Sequence, residues 1–191
     1  MPKTDHPTLS FKTTAAMETW LEKNHGTSAG IWLRIFKKAS GKSSVTYDEA
    51  LDAALCFGWI DGLKHAHDAE SWLQKFTPRT KRSGWSKRNT EHIARLMKAK
   101  RMRSAGIAAV EAAKKDGRWD RAYDAASSST IPEDFLKELR KNKKAKAFFD
   151  TLNKANLYAI SYRLQTAKKP ETRERRMQAI LAMLAEEKKF H

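Results

Sequence analysis

Between positions 75 and 103 the chain sets eleven Lys or Arg against a single acid, Glu91. A stretch so one-signed stays in water or against an anion, so the core has to be assembled from the segments that flank it. Within it the pairs Lys81-Arg82 and Lys87-Arg88 flank a Gly84-Trp85 break. Ser86 stands at an N-cap position ahead of Ile93, Leu96 and Met97, which recur at helical spacing. That reading puts Lys87 and Arg88 in the first turn of a helix, where the unpaired amides and the macrodipole disfavour each cation by about 0.3–1 kcal/mol. An anion bound there turns the penalty into a site, because amide donors, dipole and side-chain charge converge on one point. Arg79 follows Pro78, whose fixed φ stiffens the loop and suits the guanidinium to bidentate anion recognition.

The flanks read as a mixed fold. Residues 1–8 are expected to form a loose tail. Thr13 or Thr14 caps a short helix through Met17, Trp20 and Leu21, which Gly26 ends. Ile31-Trp-Leu-Arg-Ile-Phe36 is too short and too apolar for an independent helix and reads as a buried strand. Thr46 and Glu49 have capping-box spacing and open a helix that buries Ala50, Leu51, Ala54 and Leu55 and stops at Gly58. Period-two alternation then places Trp72, Gln74 and Phe76 on one face of a second strand, in a hairpin with Leu63 to His67, which follow Trp59-Ile-Asp-Gly62, across a turn at Asp68-Ala-Glu70. Ser104 is expected to cap a further helix with Ile107 and Val110 inward, closed by Asp116-Gly117. From Pro132, read as a first helical position, to the last residue the apolar stripes are helical, Phe135, Leu139, Phe149, Ile160, Leu164, Met177, Ile180 and Leu184 among them. The predicted class is α+β: a small antiparallel-type sheet with packed helices over residues 1–125, a linker at 126–131, and an all-helical module over 132–191.

The formal net charge is +16. Residues 1–70 carry eight Lys or Arg against nine acids, so the whole excess lies beyond them. Such a balance points to an anionic partner: nucleic acid, a phosphorylated small molecule or an anionic surface. One cysteine excludes an internal disulfide and fits a reducing compartment. With no apolar leader or spanning run in the sequence, the expected location is cytoplasmic.

Several ordered stretches resemble a known family: Tyr47-Asp-Glu-Ala-Leu51, Leu55-Cys-Phe-Gly-Trp-Ile-Asp-Gly62, Phe76-Thr-Pro-Arg79, Trp85-Ser-Lys-Arg-Asn89, Asp116-Gly-Arg-Trp-Asp-Arg-Ala-Tyr123, and Ala167-Lys-Lys-Pro-Glu-Thr-Arg173 with Arg176 behind it. Together they look like the YdeI/OmpD-associated, or bacteriocin-protection, family over nearly the whole chain. The resemblance implies an α+β fold, a small C-terminal helical module and a link to bacteriocin or envelope-stress resistance. It supplies no reaction, cofactor or catalytic residue.

The candidate binding residues are Trp59, Asp61, Arg79, Arg82, Trp85, Lys87, Arg88 and Asn89. Arg79, Lys87 and Arg88 contact charge, Asn89 reads an amide or hydroxyl, and Trp59 or Trp85 stacks a ring. Asp61 is the one candidate catalytic group. In an Asp-Gly turn beside Arg79 or Arg88 it acts as a base or orients an Arg; otherwise it bonds its own backbone or forms a structural ion pair. Cys56 reads as core, and His65 with His67 lacks the partners of a metal site. Asp48, Glu49 and Asp52 read as capping and solvated carboxylates. No Walker loop, dinucleotide fingerprint, nucleophile elbow or zinc spacing is present, so no cofactor and no metal are expected. The leading expectation is a binding protein for an anionic ligand, with DNA or RNA the first candidate. The alternatives are an enzyme on a phosphorylated or carboxylated small molecule, with Asp61 as base and Arg79 as stabiliser, and an adaptor docking on an acidic protein.

Overall fold

The computed structural model describes residues 6–126 and 128–191, and the chain divides into two compact units. The first comprises residues up to 85 together with 89–120, the second 86–88 and 121–191. The architecture is α+β: one four-stranded sheet with helices in the first unit, and four helices, α5 to α8, in the second. No helix among the described residues is long and apolar enough to cross a membrane.

The sheet has the order β1-β2-β4-β3. β2 (Ile31–Phe36) pairs antiparallel with β4 (Ser71–Pro78), which pairs antiparallel with β3 (Trp59–Ala66). Part of the expected loose tail is ordered after all: β1 (Thr8–Leu9) adds a parallel edge to β2, and the Trp32 amide donates to Pro7 O at 2.9 Å. Residues 1–5 of that tail lie outside the described residues. The register sets Ile31, Leu33 and Ile35 opposite Phe76, Gln74 and Trp72, so these six side chains share a face. The hairpin turn is closed by Asp68, which accepts from Ser71 Oγ, the Glu70 amide and Arg34 Nη2. The Ser71 hydroxyl contributes most to holding its carboxyl down at about 2.

Asp61-Gly62 is not the turn that its composition suggested. It lies inside β3, where the register slips between Asp61 and Lys64 to form a bulge. The carbonyls that the bulge displaces are met by Gln74, a buried amide whose Nε2 donates to Gly62 O at 2.9 Å and Leu63 O at 3.3 Å. A polar residue on the core face of a strand is thereby satisfied rather than orphaned.

α1 (Thr14–Asn24) is capped by Thr13, and α2 (Tyr47–Cys56) opens on the full Thr46/Glu49 capping box. From Ala50 to Cys56 every residue of α2 is buried. α3 (Lys87–Lys98) turns Ile93 and Leu96 inward and leaves Met97 exposed. α4 (Ser104–Lys115) departs from expectation in two ways. Ser104 is its first helical residue, behind an Arg103 cap without a side-chain bond, and Ile107 is 43 % exposed. Gly106, Val110 and Ala113 form the buried face instead. The reason is a close approach: a Cβ on Gly106 would collide with the Cys56 carbonyl at the end of α2, so the glycine face must be the inner one. At the same junction Gly58 has φ +74°. Burial there pushes the Cys56 thiol up to about 11, consistent with a packing role.

In the second unit α5 (Glu133–Leu139), α6 (Lys143–Phe149), α7 (Lys154–Gln165) and α8 (Pro170–Ala185) enclose Phe135, Leu139, Phe149, Ile160, Leu164, Ile180 and Leu184. Pro132 is the cap of α5, one residue before the helical position expected for it. Asn142 and Asn153 cap α6 and α7 through their side chains. Pro170 starts α8. Arg173 forks onto Asp134 at 2.5 and 2.9 Å, and Arg176 donates to Arg163 O at 2.7 Å, at the carbonyl end of α7.

Gly106→Ala should lower the stability of the first unit by about 1–3 kcal/mol, the usual cost of forcing volume into a packed contact. Urea unfolding followed by tryptophan fluorescence measures it, with Ile107→Ala as the exposed neighbour expected to cost under about 0.5 kcal/mol.

Candidate functional site

The sequence candidates fall into two groups. Trp59, Asp61, Arg79, Arg82, Trp85 and Asn89 belong to the first unit, Lys87 and Arg88 to the second.

In the first unit the basic loop 80–84 is held from several sides. The Arg79 guanidinium lies over the Trp85 indole at 3.4 Å, and its Nη1 donates to Gly84 O at 3.0 Å. Trp85, 2 % exposed, meets Trp119 at 5.0 Å between centroids. Arg118 fastens the other side: Nη1 donates to Thr80 O at 3.2 Å and Ser83 O at 3.1 Å, while Nε binds both oxygens of Asp116 at 2.8 Å. Inside the loop the Thr80 amide donates to Ser83 Oγ, the Ser83 amide to Thr80 O and the Arg82 amide to Thr80 Oγ1. Lys81 and Arg82 stand exposed at the tip, and neither side chain bonds a carboxylate among the described residues.

This arrangement gives the candidates roles that spacing alone did not. Arg79 and Asp61 do not pair: Asp61 accepts from the Tyr47 hydroxyl at 2.8 Å, and Arg79 is engaged with Trp85 and Gly84. The base-and-electrophile pair expected from hairpin geometry is therefore not assembled, because Asp61 sits in a strand and faces the start of α2. Trp59 is 1 % exposed, donates its indole N–H to His25 O at 3.1 Å and meets Trp20 edge-on, which makes it core. Trp85 is covered by Arg79 rather than open for stacking. Asn89 is buried. Arg118, which the sequence reading passed over, carries as much of the loop as Arg79. Its only signal was membership of the Asp116-Gly-Arg-Trp119 stretch.

In the second unit Lys87 extends to Asp124 Oδ1 at 2.6 Å, and its amide donates to Tyr123 O at 2.8 Å. The Lys87 ammonium leads the causes that hold the Asp124 carboxyl below the usual aspartate range, and Gln165 adds a hydrogen bond. A cation in the first turn of α3 is thus offset by an acid of the protein itself. Lys87, Arg121, Tyr123, Asp124 and Gln165 line a hollow of about 370 Å³.

A second charged cluster lies where the sequence reading expected a solvated acid. Asp52, 8 % exposed on α2, accepts from Arg95 Nη2 at 2.6 and 2.8 Å and from His92 Nδ1 at 2.8 Å. Since a carboxylate only accepts, Nδ1 carries the proton. Arg101 stands 3.9 Å away and binds Glu18 at 2.8 Å. Burial works to raise the Asp52 carboxyl, but the hydrogen bonds of Arg95 and His92 outweigh it and hold the carboxyl below its ordinary range. The cluster ties α2 to α3.

Replacing Arg118 by Ala should free the loop and speed tryptic cleavage after Lys81 and Arg82 severalfold while leaving the far-UV spectrum unchanged; limited proteolysis reads it. Asp52, whose carboxyl is depressed in the fold, contributes stability that is full above about pH 4, its unfolded titration range. That contribution is lost as the pH falls through the folded value. Asp52→Asn should cost about 1.5–3 kcal/mol at pH 7, and the gap to wild type in urea unfolding should narrow progressively as the pH falls below about 4.

Residues 9–109 match the family described as Domain of unknown function (DUF8412), and residues 128–187 match Bacteriocin-protection, YdeI or OmpD-Associated. The second match covers the C-terminal part of the resemblance read from the sequence. No curated protein and no solved structure matches. The chain therefore belongs, over more than half its length, to the DUF8412 family, and its segment 128–187 is similar to the YdeI/OmpD-associated, bacteriocin-protection family.

Proposed function

We propose that this protein binds a polyanion, nucleic acid first among the candidates, through the loop at 80–84. One observation carries the reading: Arg79 and Arg118 donate to the loop's own carbonyls and hold it, while Lys81 and Arg82 project from the tip. A loop held this way surrenders little further freedom on binding, so its cations are pre-organised rather than recruited. The adjacent Lys81 and Arg82 also repel one another, and a bound phosphate relieves that repulsion. Binding is favoured over catalysis because Asp61, the one candidate base, is engaged by Tyr47 and does not meet Arg79. A role in protection against bacteriocins rests on the family description of residues 128–187.

Fluorescence anisotropy with generic DNA and RNA oligonucleotides should show binding that weakens steeply with salt, with a log–log slope of about −0.9 per phosphate contact on duplex or about −0.7 on single strands. The double change Lys81→Glu, Arg82→Glu should weaken binding at low salt by about tenfold or more and reduce the slope by about one per residue. Absence of binding at low salt, or a double variant that binds like wild type, removes the loop from this role.

A further inference from the structure

The run from Ala167 to Arg176, singled out in the sequence, is not used by the loop. It belongs to the second unit, where α7 and α8 flank a hollow of about 380 Å³ walled by Tyr158, Tyr162, Arg163, Thr166, Arg176 and His191. That volume falls within the usual range of about 300–1,000 Å³ for small-molecule sites. A smaller hollow of about 190 Å³ shares Arg163 and Arg176 and is walled by Ile180, Met183 and Phe190.

We propose that this hollow is a separate ligand site for a planar ring bearing a phosphate. Both guanidiniums are positioned, and no Asp or Glu side chain lines either hollow. Arg176 is held by Arg163 O at 2.7 Å and Thr166 Oγ1 at 3.3 Å, both bonds made by Nη1. Arg163 lies over the Phe190 ring at 4.3 Å, and its N–H groups meet no carboxylate among the described residues. Phe190 is fixed in turn by Asn156, a buried side chain whose Oδ1 accepts from the amides of Phe190 and His191 at 3.0 and 3.1 Å. Arg163 is an exposed side chain, placed by its contact with a ring that a buried amide in turn holds.

The carbonyl end of α7 by itself repels an anion with about half a charge. Two full positive charges beside it reverse that sign, and guanidinium forks suit phosphate. Tyr162, 39 % exposed, offers a ring face, and its ring is set by Tyr158 at 5.9 Å and Tyr123 at 4.9 Å. A tyrosine hydroxyl is protonated at neutral pH, so Tyr158 on the same wall can donate there.

This inference goes beyond the loop's proposed role and stands on different residues. Isothermal titration of the full chain with adenosine 5′-monophosphate, adenosine and inorganic phosphate tests it. The monophosphate should bind, and each fragment should bind at least about tenfold more weakly. Arg163→Glu and Tyr162→Ala should each weaken the monophosphate by about tenfold or more, Arg163→Lys by less, and Lys81→Glu with Arg82→Glu not at all. Should Arg163→Glu fail to fold by circular dichroism, Tyr162→Ala, an exposed position, decides. No monophosphate binding, phosphate alone binding equally well, or binding that survives Tyr162→Ala or falls with the loop variant overturns the proposal. Because oligonucleotide binding is read with the loop variant and the monophosphate with the α7 variants, either reading can fail without the other.

Discussion

The carboxylate of Asp52 is the interaction on which the first unit most depends. It sits on the one helix whose residues are buried from Ala50 to Cys56, and it draws Arg95 and His92 of α3 onto that helix. A buried charge without partners would cost several kcal/mol. With a guanidinium, an imidazole N–H and a more distant Arg101 around it, the charge becomes a clasp. The same helix ends against Gly106 of α4, so α2 carries an ionic contact on one side and a steric one at its C-terminal end. Neither contact tolerates much displacement of its neighbour, and together they fix α3 and α4 on α2.

The strongly basic segment is reconciled with a folded protein by giving its cations different acceptors. Arg95 finds Asp52, Arg101 finds Glu18, and Arg79 finds an indole face and a carbonyl. Arg118, from beyond the segment, closes the loop over two further carbonyls. Arg118 is itself paired with Asp116, so the charge that the loop presents is that of Lys81 and Arg82 at its exposed tip. The loop therefore keeps its field while losing its freedom, which is the combination a polyanion site needs.

In the second unit the arginines of α8 serve the helices first. Arg173 ties α8 to Asp134 beside the α5 cap, and Arg176 satisfies the carbonyl end of α7. The conspicuous Pro-Glu-Thr-Arg run is therefore a helix start whose basic side chains close the neighbouring helices. Its chemistry toward a ligand rests on what those bonds leave over, chiefly the remaining N–H groups of Arg176 and the whole guanidinium of Arg163.

Local chemistry was readable from the residues alone. The Thr46/Glu49 capping box, the Ile31–Phe36 strand and the alternation of Trp72, Gln74 and Phe76 each follow from contacts within a few positions and appear as read, and of the two caps offered for α1, Thr13 and Thr14, the structure uses Thr13. The α+β class followed from the same periods. Pairing over long separations was not readable. Asp52 meets Arg95 and His92 forty residues away, Arg118 reaches a loop nearly as distant, and Gly106 finds Cys56 only when α4 is laid on α2. Asp61-Gly62 shows the limit most plainly, since composition favours a turn where cross-strand hydrogen bonds to β4 impose a bulged strand. The sequence by itself determined which segments are helix, strand and charged surface, because those depend on neighbours along the chain. Only the tertiary structure decided which cations are spent on carboxylates, which on carbonyls and which stand exposed, because that depends on neighbours in space.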